Sequence, residues 1–256
     1  MDRNLEERRK TILSLLNEEG KVKVVELSKR FAISEVTIRG DLDALEQEGL
    51  LERVHGGAIS NYKSYYAMNF NDRMEANQEE KRRIAMEAAA MINDGDTLIL
   101  GSGTTPLYVV RELKEQRNLI LLTNSLSVVQ EASRNPNIKF VVLLGGNFNG
   151  EYQFTSGDDA ISQLSKYKAD KLILSSDGVS SEFGVTTYHH MEAELNRQMI
   201  ARVNKTIVVA DYTKIGRADF SHISDIDQID CIISNHNANK EEIAAFEEAG
   251  IEVRLV

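Results

Sequence analysis

Seven short apolar runs, rich in leucine and β-branched residues, recur between residues 97 and 256 and constrain the fold more than any other feature. The runs are TLIL (97–100), LILL (119–122), KFVVLL (139–144), KLILS (171–175), TIVVA (206–210), IDCII (229–233) and IEVRLV (251–256). Helical patterns lie between most of them, and such runs are typical of strands buried on both faces. The sequence therefore predicts an α/β domain over residues 77–256, with a mainly parallel sheet and helices on both of its faces.

The N-terminal residues have a different pattern, in which three short helices follow one another. The first predicted helix covers residues 3–19 and ends at Gly20. Ser34 suits the N-cap of the third helix, because its hydroxyl can accept a hydrogen bond from an unpaired backbone N–H, and Gly49 closes that helix. The apolar positions that mark the three helices are Leu5, Ile12 and Leu16; Val24, Leu27 and Phe31; and Ile38, Leu42 and Leu45.

A small hairpin is predicted after these helices, in LLERVHGGAI at residues 50–59. Three helices followed by a hairpin indicate a winged helix-turn-helix domain over residues 1–59. Residues 60–76 lose the periodicity and are predicted to be a linker, partly packed through Tyr62, Tyr65, Tyr66 and Phe70. A further helix is expected from Glu79, in EKRRIAMEAAAMI.

Charge and composition limit the partners of the chain. The net charge is −10 over 256 residues, which argues against non-specific coating of nucleic acid but not against local DNA contact. No apolar run approaches the roughly 18 residues of a membrane span, and MDRNLEERRK has no apolar signal segment. We therefore expect a cytoplasmic protein without a membrane partner, in which the single cysteine, Cys231, is buried in a strand.

The third helix is a candidate DNA reader. If Ile38, Leu42 and Leu45 face the core, the side chains on the opposite face are available to a major groove of double-stranded DNA. Arginine can bond a guanine edge or a phosphate, hydroxyls can bond either, and valine can touch a thymine methyl group. The candidate DNA-binding residues, including cations at the end of the second helix and in the hairpin, are Lys29, Arg30, Ser34, Val36, Thr37, Arg39, Arg53 and His55.

This segment resembles a known family. VVELSKRFAISEVTIRGDLDALEQEGLLERVHGGA is similar to the DNA-binding domain of the DeoR family of bacterial sugar-metabolism regulators, from about Arg8 to Ile59. The family usually has a second arginine where this chain has Gly40, and a glycine within a helix costs about 1 kcal/mol relative to alanine. Either the backbone approaches DNA closely at Gly40 or the protein reads a different base.

A glycine-rich turn, GSGTTPLY at residues 101–108, follows the first predicted strand of the sheet and opens a helix. Pro106 suits a first helical turn, and the free N–H groups and helix dipole there favour an anion. Polar groups also follow other strands, and the carboxyl ends of parallel strands line one crevice. The candidate effector-binding residues at these strand ends are Ser102, Gly103, Thr104, Thr105, Asn124, Ser125, Gly145, Gly146, Asp177, Gly178, Asp211 and Lys214. Glu192, in HHMEAEL, is a further candidate because it matches an acidic position of the DeoR family.

The second half resembles the same family through EKRRIAMEAA, GSGTT, TNSL, LLGG, DGVSSEFGVTT, EAELNRQMI and VVADYTKIG. The resemblance implies a fold similar to ribose-phosphate isomerase and a phosphorylated sugar as effector. Around DGVSSEFGVTT the sequence is most similar to the amino-sugar and galactitol branch of the family. The family commonly has an aspartate where this chain has Gly101, which weakens any case for isomerase-like proton transfer.

We interpret the chain as a repressor of a carbohydrate-utilisation operon, released from operator DNA by a sugar phosphate. Asp177, Glu192, Asp211 and Lys214 could instead serve an enzyme, and an activator or an architectural DNA protein are further alternatives. No cofactor is expected, nor a metal, because adjacent histidines such as His189 and His190 point about 100° apart on a helix. Paired half-sites make a homo-oligomer, dimer or tetramer, the expected form.

Overall fold

In the computed structural model, the chain divides after Ala76 into two units, Met1–Ala76 and Asn77–Val256. The structure describes residues 3–19, 21–48, 50–59 and 70–256. The first unit contains α1 (Arg3–Glu19), β1 (Lys21–Lys23), α2 (Val24–Phe31), α3 (Glu35–Gln47), β2 (Glu52–Val54), β3 (Gly57–Ile59) and α4 (Phe70–Glu75). The predicted order of three helices and a hairpin is therefore present.

The third helix, α3, begins as the sequence predicts. The Ser34 hydroxyl accepts a hydrogen bond from the backbone N–H of Thr37 at 3.1 Å. Ile38, Leu42 and Leu45 are buried, and they form one core with apolar side chains of α1 and α2. This packing fixes which face of α3 is left for solvent or a ligand.

The small sheet of the first unit contains a strand that the sequence did not predict. The order is β1-β3-β2, and β3 pairs antiparallel with both neighbours. Only the middle residue of β1, Val22, is buried, and three residues are too few to show a period of two. Gly57 permits the close approach of the strands, because a Cβ at that position would overlap the Val22 carbonyl.

Some predictions fall on residues that the structure leaves undescribed. Gly20 and Gly49, the predicted ends of two helices, lie outside the described residues, as do Tyr62, Tyr65 and Tyr66 of the predicted linker. Within that predicted linker, the irregular pattern of residues 70–75 did not indicate a helix, yet these residues form α4.

The second unit begins with α5 (Gln78–Ala90) and alternates strands with helices. The following elements are β4 (Thr97–Leu100), α6 (Thr104–Glu112), β5 (Leu119–Thr123), α7 (Leu126–Ala132), β6 (Ile138–Leu143), β7 (Asn147–Asn149), β8 (Phe154–Ser156), α8 (Asp158–Leu164) and β9 (Ala169–Leu174). They continue with β10 (Gly178–Ser180), β11 (Gly184–Thr187), α9 (His190–Ile200), β12 (Val203–Val209), β13 (Ser221–Ser224), β14 (Cys231–Ser234), α10 (Lys240–Glu248) and β15 (Glu252–Leu255). Two short 3₁₀ turns cover Tyr212–Lys214 and Ile226–Gln228.

All seven predicted apolar runs form one sheet. Its order is β15-β14-β12-β9-β4-β5-β6, and every neighbouring pair is parallel. Leu98, Ile99 and Leu100 are all buried although successive side chains of a strand point to opposite faces. Both faces of the sheet are therefore covered at its centre, which confirms the predicted α/β class.

The winding of this sheet changes direction beside β4. From β4 the chain moves outward through β5 to β6, whereas from β9 it moves the other way through β12 and β14 to β15. The carboxyl ends of β4 and β9 therefore lie at the topological switch point, where ligands of open α/β sheets bind. The loop after β4 is GSGTT, and the loop after β9 contains Asp177.

The second unit also contains two smaller antiparallel sheets that the sequence did not predict. One has the order β10-β11-β13, and the other pairs β7 with β8. Their strands have three or four residues each and are held by distant partners, so local pattern carries little information about them. The motif DGVSSEFGVTT contains β10 and β11, and it therefore forms a hairpin directly after the Asp177 position.

Cys231 is buried in β14, as expected. Burial, with a smaller effect from the charge of Glu252, raises the pKa of its thiol to about 11. The thiol is therefore almost entirely protonated at neutral pH.

Candidate functional site

The outer face of α3 carries most of the predicted DNA-binding residues. Ser34, Thr37 and Arg39 are exposed, and the Val36 side chain is 74% exposed although it is apolar. Gly40 lies on the same face, and a Cβ added there would meet no atom within 4 Å. The face is free to enter a major groove, as a recognition helix must be.

Arg39 is held by a neighbour on its own helix. Its Nη2 donates to Glu35 Oε2 at 2.7 Å across one turn, and both side chains are about half exposed. An exposed pair of this kind is weak, so the guanidinium can exchange the carboxylate for a phosphate or a base edge.

The remaining predicted DNA-binding cations differ in exposure and in the hydrogen bonds that their side chains make. Lys29 and Arg30 are exposed in the last turn of α2, and His55 is exposed in the turn between β2 and β3. Arg53, in contrast, donates from Nε to Asp43 Oδ1 at 2.9 Å and from Nη1 to the Gly57 carbonyl. Arg53 therefore braces the hairpin against α3 in this conformation.

Asp41 is a residue of α3 that the sequence analysis missed. Its side chain is buried, and Arg8 Nε donates to its Oδ2 at 2.6 Å, with Arg9 Nε 3.4 Å from its Oδ1. The contacts of Arg8 and Arg9 with Asp41 connect α1 to α3, and they thereby support the orientation of the outer face of α3. A charged residue between two apolar stripe positions was the available signal.

In the second unit, the GSGTT loop ends in a helix whose N-cap is Gly103. Its φ of 120° suits glycine, and a Cβ there would overlap the Ser175 hydroxyl, which donates to the Ser102 carbonyl at 2.7 Å. Glycine has no side chain to cap the first N–H groups of α6. Thr104 and Thr105 occupy the first two helical positions and are buried. Their N–H groups are suited to an anion.

Carboxylates and hydroxyls form a continuous network beside this loop. Ser102 Oγ donates to Glu192 Oε1 at 2.5 Å. The Thr187 hydroxyl lies 3.1 Å from Glu192 Oε2 and 2.9 Å from Asp177 Oδ2, which also accepts the Tyr188 backbone N–H at 3.1 Å. The structure thus brings together Ser102, Asp177 and Glu192, three predicted site residues from different elements. Thr187, which connects them, was not predicted.

The carboxyl end of β5 contributes a second polar group. Asn124 is fully buried, and its Nδ2 donates to the Thr155 carbonyl at 3.0 Å, whereas its Oδ1 has no hydrogen-bond partner among the residues that the structure describes. The Ser176 hydroxyl after β9 is likewise buried without a partner in that part of the chain. Buried polar atoms rarely stay unpaired, so both mark positions where water or a ligand is needed.

Ser125 and the two glycines after β6 have structural roles in this conformation. The Ser125 hydroxyl caps α7 by accepting the Val128 N–H at 3.4 Å. The Gly145 N–H donates to Gln163 Oε1 at 2.9 Å, and Gly146 has a φ of 129° at which a Cβ would overlap the Ser156 carbonyl. They shape the loops after β5 and β6. Gly178, after β9, similarly leaves room for the Arg217 carbonyl.

A buried charge cluster follows β12. Asp211 and Lys214, both predicted, are joined by Lys81 of α5, and all three are buried. Burial alone would raise the pKa of Asp211, but the charges of Lys214 and Lys81 and hydrogen bonds from Thr213 lower it below its usual value. Lys81 was missed, although its helical spacing to Ile84, Ala85 and Ala88 placed it on the buried stripe of α5.

Both units match known families. Residues 8–64 match the DeoR-like helix-turn-helix domain, and residues 76–236 match the DeoR C terminal sensor domain. The chain belongs to the DeoR family. Within the described residues of this DeoR-family regulator, no helix is long and apolar enough to cross a membrane.

Relatives of this DeoR-family chain match it over almost its whole length. It is 35% identical to the HTH-type transcriptional regulator GolR of Listeria innocua, over 97% of this chain and 98% of that protein. It is 33% identical to a putative aga operon transcriptional repressor of Escherichia coli O157:H7, over 98% and 93%. A ribose 5-phosphate isomerase from Methanocaldococcus jannaschii matches 54% of this chain and 55% of that chain, with 19% identity and a TM-score of 0.41.

The DeoR-family departures at Gly40 and Gly101 are not imposed by packing. A Cβ at Gly40 would meet open space, and one at Gly101 would make ordinary contacts, 3.5 Å from the Ile173 carbonyl. Steric packing therefore does not require glycine at either position.

Proposed function

We propose that this DeoR-family regulator represses a carbohydrate-utilisation operon and leaves its operator when a phosphorylated sugar binds the second unit. The observation that carries the proposal is the convergence, at one switch point, of an uncapped helix start and a carboxylate–hydroxyl network. Gly103 provides the first and Ser102, Thr187, Asp177 and Glu192 the second. The name of the E. coli relative, a repressor of the aga operon, supports the repressor role.

The phosphate end of the effector is assigned to the start of α6. The backbone N–H groups of Thr104 and Thr105 follow a glycine cap, and their dipoles favour an anion. Lys214 and Lys81 are cations buried after β12 and in α5, and they add positive charge to the second unit without being exposed to bulk water. A charge-assisted contact between an anion and a buried lysine is stronger than one at the protein surface.

The sugar end is assigned to the carboxylates and the partnerless amide oxygen. Asp177 and Glu192 can accept hydrogen bonds from sugar hydroxyls, and so can Asn124 Oδ1, which has no partner in the described residues. The proposed effector-binding set is Ser102, Gly103, Thr104, Thr105, Asn124, Ser125, Gly145, Gly146, Asp177, Gly178, Glu192, Asp211 and Lys214, to which Lys81 and Thr187 are added.

The DNA end is assigned to the first unit, with a second copy of the chain on the other half-site. One recognition helix reads only a few base pairs, so specific operator binding requires a homo-oligomer. Exposure supports Lys29, Arg30, Ser34, Val36, Thr37, Arg39 and His55 as direct contacts. Arg53 would contact DNA only after releasing Asp43.

A regulator is favoured over an isomerase-like enzyme. Gly101 supplies no acid or base after β4, and Asp177 and Glu192 are both engaged by the Thr187 hydroxyl. Asp211 is an ion-paired carboxylate with a lowered pKa, which makes it a poor proton donor at neutral pH. These groups are arranged to hold a ligand.

Operator release tests this function directly. The operator fragment is bound by the full chain and titrated with sugar phosphates and the matching unphosphorylated sugars, while turnover is followed in the same samples. We expect release by a sugar phosphate, no release by its free sugar and no isomerisation. Operator binding that ignores every sugar phosphate would indicate an architectural protein, and product formation would indicate an enzyme.

A further inference from the structure

His189 lies at the junction of β11 and α9, next in the chain to Tyr188, whose backbone N–H donates to Asp177 Oδ2 in the candidate effector site. Thr187, two residues earlier, contacts both Asp177 and Glu192 through its hydroxyl. The backbone N–H of Glu192 donates to the His189 carbonyl at 3.0 Å. The turn that places the two carboxylates therefore also places the imidazole ring.

Three aromatic rings surround the imidazole. The Tyr152 centroid lies 4.6 Å away at an interplanar angle of 62°, and that of Tyr188 lies 5.2 Å away at 82°. Phe154 is tilted at 5.9 Å, and its backbone forms a β-bridge with Ser125 at the end of β5. Edge-to-face packing of this kind fixes the orientation of a ring. The imidazole is thus packed among three rings, one of which belongs to a residue paired with the end of β5.

Helix capping does not account for a histidine at this position. His189 is the N-cap of α9, but its side chain makes no capping hydrogen bond, whereas Ser34 and Ser125 cap α3 and α7. A serine, threonine, aspartate or asparagine at this position would stabilise the helix start through its side chain. The preferred N-cap residues are therefore absent at a position next to a binding site. This indicates that the His189 side chain has a role other than capping.

We infer that His189 is the residue that selects the sugar, which rests on the proposed function of this site as a sugar-phosphate receptor. With the phosphate at Thr104 and Thr105, the hydroxyl-bearing carbons of the ligand extend toward Glu192, Asp177 and His189. The imidazole offers a hydrogen bond to one sugar hydroxyl, in a direction set by the rings packed around it. A site that hydrogen-bonds a particular hydroxyl rejects the epimer that misplaces it.

Calorimetry on the full chain tests this role with His189→Phe, which keeps an aromatic ring but removes both nitrogens. The probes are glucose 6-phosphate, galactose 6-phosphate, mannose 6-phosphate and inorganic phosphate. His190→Phe is the matched control, because His190 is the exposed neighbour. We expect the wild-type protein and His190→Phe to bind one hexose phosphate at least about tenfold more tightly than another. In His189→Phe this ratio should fall to about threefold or less, with unchanged affinity for inorganic phosphate and operator.

The outcomes separate this inference from the function on which it rests. If the wild-type protein binds none of the hexose phosphates, the proposed function fails and the inference fails with it. If it binds them and His189→Phe keeps the same ratio, only the role of His189 is overturned. His189→Gln, which retains one donor and one acceptor, should keep part of the preference. Unfolding of both variants would show that His189 is a packing residue and would overturn the inference.

Discussion

Arg39 and Glu35 form a hydrogen-bonded ion pair of 2.7 Å on the exposed face of α3, so the best candidate for base recognition already has a partner on its own helix. The pair holds the guanidinium near the N-terminal end of the helix, which is the end that enters a major groove. Binding DNA requires the carboxylate to give way, and the cost is small because the pair is exposed.

Glu35→Gln should therefore strengthen operator binding, by about twofold to fivefold, since it frees Arg39 and removes a charge that repels phosphate. Arg39→Ala should weaken operator binding by about 1–3 kcal/mol if the side chain reads a base. Glu26→Gln is the control, because Glu26 pairs with exposed Lys23 at 3.0 Å and its loss changes the net charge equally. Fluorescence anisotropy at several salt concentrations measures all three variants. Equal gains in Glu35→Gln and Glu26→Gln would attribute the effect to net charge alone.

Gly40→Arg should raise both thermal stability and non-specific DNA affinity. The position has open space for a side chain, and replacing a glycine within a helix stabilises that helix by about 1 kcal/mol. One added phosphate contact should steepen the salt dependence of binding by about one unit of slope. Gly40→Ala separates the two effects, because it improves the helix without adding charge. Abolished DNA binding in folded Gly40→Ala would show that the helix backbone itself must approach the DNA.

Thr104→Val should produce a super-repressor. The substitution keeps the shape of a buried side chain in the first turn of α6 but removes its hydroxyl donor. A ligand shifts the DNA equilibrium only through its different affinities for the two states, so weaker binding means weaker release. Normal operator affinity with poor release by sugar phosphate is the expected result of a release titration. Ser165→Ala, which loses an exposed hydroxyl directly after α8, should behave as wild type. Normal release of Thr104→Val would remove this loop from the effector site.

Asp211→Asn should destabilise the second unit by about 3 kcal/mol at pH 7, because it leaves Lys81 and Lys214 buried with one negative charge fewer. The pKa of Asp211 is lower in the folded chain than in the unfolded one, so its charge stabilises the fold above pH about 4 and this contribution is lost as the pH falls further. The difference from wild type in urea unfolding should stay constant from pH 7 to pH 5 and narrow below pH 4. Asp225→Asn, at an exposed position, should show no such difference. A gap that widens in acid would contradict the lowered pKa.

The sequence predicted what depends on local periodicity and missed what depends on distant partners. The seven strands of the large sheet were readable because each is a continuous apolar run. The rule that ligands bind at the carboxyl ends of strands pointed to the loops with Ser102 and Asp177, whereas Glu192 was expected only from the family resemblance. The three-residue strand β1 and the hairpin β10–β11 have no such runs, since long-range pairing stabilises them.

The second group of features that the sequence did not predict consists of buried charged residues. Lys81 and Asp41 were not among the predicted site or core residues, because an isolated charge on a helix is usually exposed. Their burial depends on partners far away in the chain, Asp211 for Lys81 and Arg8 for Asp41. Spacing can place a charge on the buried face of a helix, but only the fold supplies the counter-charge.

The burial of Cys231 makes this protein a convenient subject for site-directed spectroscopy. It is the single cysteine of the chain, and a thiol with a pKa of about 11 reacts with maleimides far more slowly than an exposed one at neutral pH. A fluorophore attached to one new cysteine, at an exposed position outside the proposed contact residues, would therefore label one known position without replacing Cys231. The approach of each unit to DNA or effector could be followed in real time with the native core intact.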